Sequence, residues 1–447
     1  ALWSRKISAK EIAQHYIKQI QIHNSKWNCF TSVNPNLEQE AEEVDIALGA
    51  KKNLGPLAGI PLGIKDMFCT HGLATTAASQ MLANFIPPYD ATVIAKLKSA
   101  GGLILGKLNQ DEFAMGSSSE NSYFGPVKNP FNPEYVAGGS SGGSAAGVAA
   151  DLCIASLGTD TGGSIRQPAH FCGVVGLKPT YGRVSRWGIV AFASSLDQAG
   201  VFTRTVEDSS FLLDLMTGHD PLDSTSKPLP PTQTFGQIQN IRKGTKIGLI
   251  KEFESSLSLS SSANSNVSSD VLRAYEESKL AIQKAGGELV EVSIPAIEYS
   301  IPIYYIISSA EASSNLARYD GVKYGYRSKN STSIEDFYSK TRGEGFGSEV
   351  KRRIMLGTFV LSAGYYDAWY IKAARVRRLL VTQFRQAFEQ CSALICPVAS
   401  TPAFRLNQKL KNPVEMYYND LFTTAANLVG LPAISVPVLK GSNNLPV

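Results

Sequence analysis

Residues 8–20 alternate apolar and polar positions in the manner of an amphipathic helix. Ser8 and Glu11 form a Ser-x-x-Glu capping box, which predicts that a helix begins there. Apolar side chains then recur at intervals of three and four residues, at Ile12, Tyr16, Ile17 and Ile20. The chain is therefore predicted to open with a helix that packs one face on the core.

A short apolar stretch, GIPLGIKDMF, occupies residues 59–68. Because it is brief and bounded by Gly-Pro turn signals, it predicts a buried strand that leads into a loop. Lys65 lies inside this stretch. Lysine is almost never fully buried without a partner, so we expect this side chain to have a specific one.

A unit of helix, Gly-Gly and strand occurs twice. In the first copy Asp90 is the predicted N-cap and the strand is 103–105. In the second copy Asp270 is the predicted N-cap and the strand is 288–292. Each copy is half of a βαβ unit, so we predict an α/β fold with a mixed sheet. Further buried strands are predicted at 246–250, 392–396 and 433–438.

Residues 255–269 are rich in Ser and Asn and carry few groups able to bury surface. This composition predicts a flexible surface insertion. The length of 447 residues alone suggests about three domains, but the composition does not distinguish three domains from one.

The charge of the chain is too dilute to indicate a nucleic-acid-binding protein, since 43 basic and 38 acidic residues leave a net charge of +5. Two basic clusters, at 351–353 and 375–378, are interpreted as solvated helix faces. Six scattered cysteines, with no C-x-x-C pair, argue against zinc and against a disulfide framework. We therefore expect a reducing compartment and no bound metal.

No membrane insertion is expected either. The longest stretch of small apolar residues, 142–158, is interrupted by Asp151 and is not apolar enough to span a bilayer. The N-terminal residues ALWSRKIS show no apolar signal core, so we expect any targeting segment to have been removed or left out.

Two matches to known motifs are rejected because of their surroundings. Residues 138–142 satisfy the G-x-S-x-G pattern of α/β hydrolases, but a polar segment precedes them. The histidines that follow, His170 and His219, lie in turn-like sequence and are not expected to act as a base. Residues 101–107 resemble the phosphate-binding pattern G-x-x-x-x-G-K, but Leu108 stands where a magnesium-binding hydroxyl is needed. A helix end followed by a strand explains that segment better.

A third pattern combines Lys65 with two Gly-Gly-Ser clusters, which end at Ser140 and Ser164. Each part has a simple alternative explanation, because Gly-Gly-Ser marks many loops and a lysine can lie exposed at a strand end. Together they suit a serine nucleophile and a lysine base, whose pKa of ~10.4 burial must lower by roughly 3 units. A second serine hydroxyl can relay the proton between them. Bare glycine-loop amides suit an oxyanion hole, here at Thr161, Gly162, Gly163 and Ser164.

These residues resemble the amidase signature family. The segments that carry the resemblance, beside Lys65, are 138–143, 158–169, 176–188 and 195–200. The resemblance implies a single domain over residues 1–447, with a large mixed β-sheet core flanked by helices on both faces.

The family resemblance also implies the catalytic roles. Lys65 is expected to be the base, and Ser164 the acylated nucleophile. Ser140 is expected to be the bridging serine, which in this family is usually held by a cis peptide bond.

Three longer stretches, at 109–130, 304–325 and 349–368, resemble the A subunits of glutamyl-tRNA(Gln) amidotransferases. This implies that the chain hydrolyses glutamine through a glutamyl ester on Ser164 and passes ammonia to a partner protein. That partner is expected to bind tRNA(Gln), to activate its glutamate as a kinase with ATP and Mg²⁺, and to amidate it. A small third component of the complex is also expected, and this chain itself is expected to need no cofactor.

The same resemblance implies the glutamine pocket. Free glutamine carries an α-carboxylate and an α-ammonium group, so its pocket needs one cation and one anion. Arg353 and Asp420 match the motifs for these two roles, and an arginine can hold a carboxylate through two parallel hydrogen bonds. Tyr304 is carried over as a third pocket residue, with Tyr305 beside it as the alternative.

The sequence departs from compact bacterial members of the family in two places. The Ser/Asn-rich insertion indicates a eukaryotic, fungal-type member, for which we expect the mitochondrial matrix. At residues 445–447 the chain stops where relatives continue with another strand, so the end of the sheet is expected to be incomplete.

Two other functions stay open. A free-standing amidase for a different amide would have no use for both Arg353 and Asp420. A catalytically silent scaffold would not need the complete set of one lysine and two serines.

Overall fold

The computed structural model describes residues 2–238, 240–258, 267–408 and 413–447. Its strands are β1 Phe30–Val33, β2 Pro61–Lys65, β3 Leu103–Leu108, β4 Ser156–Asp160, β5 Val175–Lys178, β6 Gln198–Thr203, β7 Lys246–Ile250, β8 Glu288–Val292, β9 Ala393–Ile395 and β10 Ala433–Ser435.

The first seven helices are α1 Ala9–Trp27, α2 Leu37–Gly49, α3 Thr92–Ser99, α4 Gly142–Ala149, α5 Arg166–Cys172, α6 Val206–Met216 and α7 Lys251–Ser258. They are followed by α8 Ser269–Lys284, α9 Ser300–Asn315, α10 Ile334–Gly345, α11 Ser348–Leu361, α12 Lys372–Phe388, α13 Pro413–Tyr417 and α14 Thr424–Val429. A short π-helix, Asp367–Ile371, leads into α12.

A seven-stranded sheet, in the order β1-β3-β2-β4-β6-β5-β10, forms the centre of the fold. The strand β2 runs parallel to both β3 and β4, and the other neighbours run antiparallel. Alternate residues of β3 enter different clusters: Leu103 and Leu105 pack with α1, α2, α4 and α5, whereas Ile104 packs with α3 and α6. Helices therefore cover both faces of this sheet, which confirms the predicted α/β fold with a large mixed sheet.

Three of the predicted strands form a second, smaller sheet. The strands β8, β7 and β9 pair in parallel in that order. They therefore do not extend the large sheet. The strands β9 and β10 are also shorter than predicted and are only partly buried. The largest apolar cluster packs the small sheet against α8, α9 and α12.

The first helix begins at the predicted capping box. The two aspartates that were predicted to be N-caps, Asp90 and Asp270, do not cap their helices. The helix α3 has no side-chain cap, and Asp90 instead accepts a hydrogen bond from the His71 amide. The helix α8 is capped by Ser268, while Asp270 accepts hydrogen bonds from Ser442. In both cases a tertiary contact outweighs the local capping pattern.

At both ends of the surface insertion predicted at 255–269, the structure has packed residues instead. At its start α7 continues to Ser258, and Leu257 within this helix is buried. At its end Val267 is buried and α8 has begun by Ser269. Residues 259–266 of that prediction lie outside the described residues. Within the described part of the chain, no helix is both long enough and apolar enough to cross a membrane.

Candidate active site

Lys65 is the last residue of β2, a strand that is buried along its whole length. Its ammonium nitrogen lies 2.8 Å from each of three hydroxyl oxygens, those of Ser140, Ser141 and Thr159. The specific partner expected for this lysine is therefore a cage of hydroxyl groups.

Ser140 is presented by a glycine-rich turn just before α4. The peptide bond between Gly139 and Ser140 is cis. The Ser140 carbonyl accepts a hydrogen bond from the Asp111 amide at 3.1 Å, which holds the turn from the other side. A Cβ atom on Gly139 would collide with the Asp111 carboxylate, so this close approach requires glycine.

Ser164 lies in the loop between β4 and α5, at the second Gly-Gly-Ser cluster. Its carbonyl accepts a hydrogen bond from the Ser141 amide at 3.2 Å, so the two glycine-rich loops are joined directly. Asp160 shapes the loop because its carboxylate accepts from the amides of Gly163 and Ile165. The structure thus brings Lys65, Ser140 and Ser164, which are distant in sequence, to one end of the large sheet.

Among the residues expected to form the oxyanion hole, 161–164, the amide of Gly163 has a hydrogen-bond partner within the protein. The Gly163 amide donates to the Asp160 carboxylate at 2.9 Å, so it is already occupied in this structure. Asp160 is also paired with Arg166, whose Nε lies 3.0 Å from it, and the attraction of this arginine keeps the carboxylate charged. The Gly163 amide therefore holds the loop in shape instead of facing an oxyanion.

Burial lowers the pKa of Lys65 to about 7, and the negative charges of Asp111, Asp160 and Asp197 oppose this shift without cancelling it. At this pKa a substantial fraction of the lysine is neutral near pH 7. A neutral amine keeps a lone pair that can accept the Ser140 proton, while its own hydrogens can bond the other two hydroxyls. The arrangement can therefore perform lysine-dependent general-base chemistry.

Arg353, on α11, is buried and held in a defined orientation. Its Nε donates to Glu349 one turn earlier on the same helix, at 2.7 Å. Its guanidinium group lies over the rings of Tyr305 and Tyr417, at 4.4 Å and 4.9 Å from their centroids. These contacts leave the arginine positioned by stacking and by one carboxylate.

Asp420 is buried beside this arginine cluster. Its carboxylate accepts a hydrogen bond from the Ser117 hydroxyl at 2.7 Å, and the Tyr305 hydroxyl lies 3.5 Å away. Burial raises the pKa of Asp420 to about 7, against the Ser117 hydrogen bond and the charge of Arg353, which lower it. A cationic ligand group beside this carboxylate would favour its charged form.

The two adjacent tyrosines of α9 have different places. An added Cβ atom on Gly162 would lie 2.7 Å from the Tyr304 hydroxyl oxygen, so Tyr304 covers the nucleophile loop. Tyr305 instead contacts Arg353 and Asp420. Both residues thus line the site, Tyr304 toward the reacting end and Tyr305 toward the charged end.

Sequence reasoning missed several residues of this site, listed here by their contacts: Ser141 and Thr159 around the lysine, and Ser117, Glu349 and Tyr417 around the charged pair. Ser141 and Thr159 stand within the motif stretches themselves. Their hydroxyl groups could have indicated that they contact Lys65, because a buried lysine needs several hydrogen-bond acceptors. The other three could not be found from spacing.

Two expectations from the sequence need correction. His170 is not in a turn; it lies in α5, where burial lowers its pKa to about 4. The basic clusters are not uniformly solvated, since Arg353 is buried and Arg377 donates to Ser195 and to the Leu428 carbonyl. On the question of metals, the described residues contain no group of three or more His, Cys, Asp or Glu side chains that could hold an ion.

Comparison with known proteins gives consistent results. The sequence profile of the Amidase family matches residues 11–447. The chain is 52% identical to the A subunit of glutamyl-tRNA(Gln) amidotransferase from Bdellovibrio bacteriovorus, over 100% of this chain and 90% of that protein. It is 50% identical to the corresponding A subunit from Trichlorobacter lovleyi, with the same two coverages. The crystal structure of the A subunit from Thermotoga maritima superposes with a TM-score of 0.80 at 40% identity, covering 98% of this chain and 86% of that one.

Proposed function

The chain belongs to the amidase family, and we propose that it acts as the glutaminase component of a glutamyl-tRNA(Gln) amidotransferase. The relatives at about half identity over the whole chain carry the name of that enzyme, which supports the assignment. The observation that carries the mechanism is the hydroxyl cage around Lys65, with Ser140 in the cage and Ser164 joined to it through the Ser141 amide.

The proposed reaction proceeds in two steps. In the first, the Ser164 hydroxyl attacks the side-chain amide carbon of glutamine, and Lys65 takes the hydroxyl proton through Ser140. The proton then passes to the leaving nitrogen, so that ammonia departs and a glutamyl ester remains on Ser164. In the second, water attacks this ester with the same base, which releases glutamate and restores the serine.

Arg353 and Asp420 are proposed to select free glutamine. The buried guanidinium group would hold the α-carboxylate, and the buried carboxylate would hold the α-ammonium group. Their opposite charges distinguish glutamine from a neutral amide. This is the feature that favours a glutaminase over a free-standing amidase for an apolar substrate.

The partners are proposed from the same relationship. A protein that binds tRNA(Gln) would receive the ammonia and use ATP and Mg²⁺ to activate the tRNA-bound glutamate, with a small third component in the complex. We also propose the mitochondrial matrix as the location, which the Ser/Asn-rich composition of 255–269 supports. Imaging of the tagged full-length protein in cells tests the location.

Replacement of Ser164 by Ala tests the reaction. We expect ammonia release from glutamine by the assembled complex to fall to background, because the hydroxyl that forms the ester is gone. Ser144→Ala is the matched control: this buried serine lies in the same glycine-rich run as Ser140, but its hydroxyl donates to the Leu157 carbonyl at 2.9 Å. Wild-type glutaminase activity in the Ser164 variant would show that the proposed mechanism is wrong.

A further inference from the structure

One segment, residues 111–117, contacts the turn of Ser140, the start of the helix that bears Arg353, and Asp420 itself, and we name it the strap. At its start, the Asp111 amide donates to the Ser140 carbonyl at 3.1 Å. At its end, the Ser117 hydroxyl donates to Asp420 at 2.7 Å. Between them, Glu112 reaches the helix that bears Arg353. The strap therefore spans the distance between the bridging serine and the groups proposed to hold the substrate.

Glu112 supplies the N-terminal cap of α11. The N-cap residue of this helix, Gly347, has no side chain to cap it, and its amide donates to the Glu112 carboxylate at 2.8 Å. The other carboxylate oxygen accepts from the Ser79 hydroxyl. A side-chain oxygen at a helix N-terminus satisfies a bare amide. The first turn of α11, and with it Arg353 farther along, is thus anchored to the strap.

Ser117 anchors the opposite charge. Its hydroxyl binds Asp420, and its carbonyl accepts a hydrogen bond from the Gln167 side chain at 2.8 Å. The same Gln167 side chain accepts from the Gly139 amide at 2.9 Å, next to Ser140. Asp420 is therefore connected to the residue before the bridging serine through the side chains of Ser117 and Gln167 and two backbone groups.

The strap is held in a backbone conformation that it would not adopt alone. Phe113 and Ala114 have φ angles of +49° and +59°, in the left-handed region that side chains other than glycine rarely occupy. Phe113 is fully buried, with its ring 5.1 Å from that of Tyr319 and 5.6 Å from that of Phe346. Such strain persists only where the surroundings enforce it, and it is concentrated at functional sites. The strap thus cannot shift freely to suit different ligands.

We propose that the strap sets the distance between the bridging Ser140 and the two charged groups of the pocket, with Glu112 positioning Arg353 and Ser117 positioning Asp420. This inference rests on the proposed function. It assigns the two residues to opposite ends of the ligand: Glu112 acts on recognition of the α-carboxylate, and Ser117 acts on recognition of the α-ammonium group. Neither residue is proposed to touch the substrate.

Three ligands separate these two effects. Glutamine carries both charges, 4-carbamoylbutanoate lacks the α-ammonium group, and 4-aminobutanamide lacks the α-carboxylate. Binding of each is measured by calorimetry on the assembled complex that carries Ser164→Ala, so that no ligand is turned over. We expect Glu112→Ala to lower the affinities for glutamine and for 4-carbamoylbutanoate about tenfold, on the scale of a lost helix cap. The affinity for 4-aminobutanamide should not change. We expect Ser117→Ala to lower the affinities for glutamine and for 4-aminobutanamide about tenfold and to leave the affinity for 4-carbamoylbutanoate unchanged.

Two controls match these variants. Glu112→Gln can still accept from Gly347 and donate to Ser79, so it is expected to restore binding of 4-carbamoylbutanoate. Ser118→Ala removes the neighbouring buried hydroxyl, which has no hydrogen-bond partner among the described residues, and is expected to change none of the three affinities.

Kinetics give a second readout. In the complex with Ser164 intact, Glu112→Gln and Ser118→Ala should match the wild type, while Glu112→Ala and Ser117→Ala should raise KM for glutamine about tenfold with little change in kcat. Equal weakening of all three ligands, or a loss confined to kcat, would overturn the inference. If the Ser164→Ala complex does not bind glutamine at all, the proposed function itself fails, which is a different result.

Discussion

Two lysines in neighbouring strands of the large sheet have the same burial but different partners. Lys65 ends β2 and Lys107 lies in β3, where Ile64 is paired with it in the parallel register. Both side chains are completely inaccessible to solvent. Lys65 faces three hydroxyl groups. Lys107 donates to the Phe68 carbonyl at 2.6 Å and to the Thr75 hydroxyl at 2.7 Å, and it lies 3.5 Å from a carboxylate oxygen of Asp66.

The partners decide what each lysine can do. A hydroxyl both donates and accepts, so a cage of hydroxyls accommodates the ammonium and the neutral amine. Lys107 has, beside a hydroxyl, a carbonyl and a carboxylate that only accept, and these two groups favour its ammonium form. Burial lowers the pKa of both lysines, but at Lys107 the neighbouring Asp66 charge opposes that effect at close range. Lys65 is thus suited to exchange a proton, and Lys107 to hold the structure together.

The largest expected difference is in catalysis. Replacement of Lys65 by Met removes the base but fits an apolar chain of similar length. We expect kcat for ammonia release to fall by about 10³-fold or more, because a positioned general base contributes on that scale. Thermal unfolding of the same variant should change by no more than about 3 °C, since no buried charge loses its partner. Activity within tenfold of the wild type would show that Lys65 is not the base and would contradict the proposed difference between the two lysines.

Lys107→Met should show the opposite behaviour. It leaves the Asp66 carboxylate buried without its cation, and we expect the free energy of unfolding to fall by about 3–5 kcal/mol. The protein that remains folded should keep its glutaminase activity. Chemical denaturation measures the first quantity, and ammonia release at low temperature measures the second. The double variant Lys107→Met, Asp66→Asn is the control, and it should recover part of the lost stability because neither charge is then left alone.

The smallest expected effect concerns pH. Because burial lowers the pKa of Lys65 to about 7 and the base must be neutral, kcat/KM should rise with pH through a midpoint at about 7 and level off at higher pH. Thr159→Val removes one acceptor that stabilises the ammonium form, so the pKa falls further. We expect the midpoint to move to lower pH by less than about one unit, while activity on the plateau is nearly retained. Thr203→Val, at a buried hydroxyl that contacts Ser209, serves as control and should leave the midpoint in place. A midpoint that does not move would show that Thr159 does not act on Lys65.

The residues of the site could be predicted from the sequence where the signal lies within a short stretch of the chain. Lys65, Ser140 and Ser164 stand in glycine-rich or apolar runs whose composition is unusual, and the structure brings all three together. The charged pocket was reachable only by resemblance, because Arg353 lies in a run of basic residues that resembles a solvated helix face. Its burial depends on Tyr305 and Tyr417, which come from two other segments.

The errors in the fold have the same cause. Asp90 and Asp270 have the side chain of a capping residue, but each is drawn to an amide from a distant segment. Strands of the second sheet look like those of the first because a short apolar run does not encode which strand will be its neighbour. Gly163 was expected to present its amide to a substrate, whereas Asp160 takes that amide.

The residues alone were enough to predict the α/β fold, the lysine in its apolar run and the two serines grouped with it, because each depends on side-chain chemistry and on short-range spacing. Three other features follow from the tertiary structure: which hydroxyls surround Lys65, which lysine is held by a carboxylate, and how residues 111–117 connect Ser140 to the charged pocket. These features depend on distances between segments far apart along the chain. Such distances follow from how the sheets and helices pack as a whole, and no local pattern of residues specifies them.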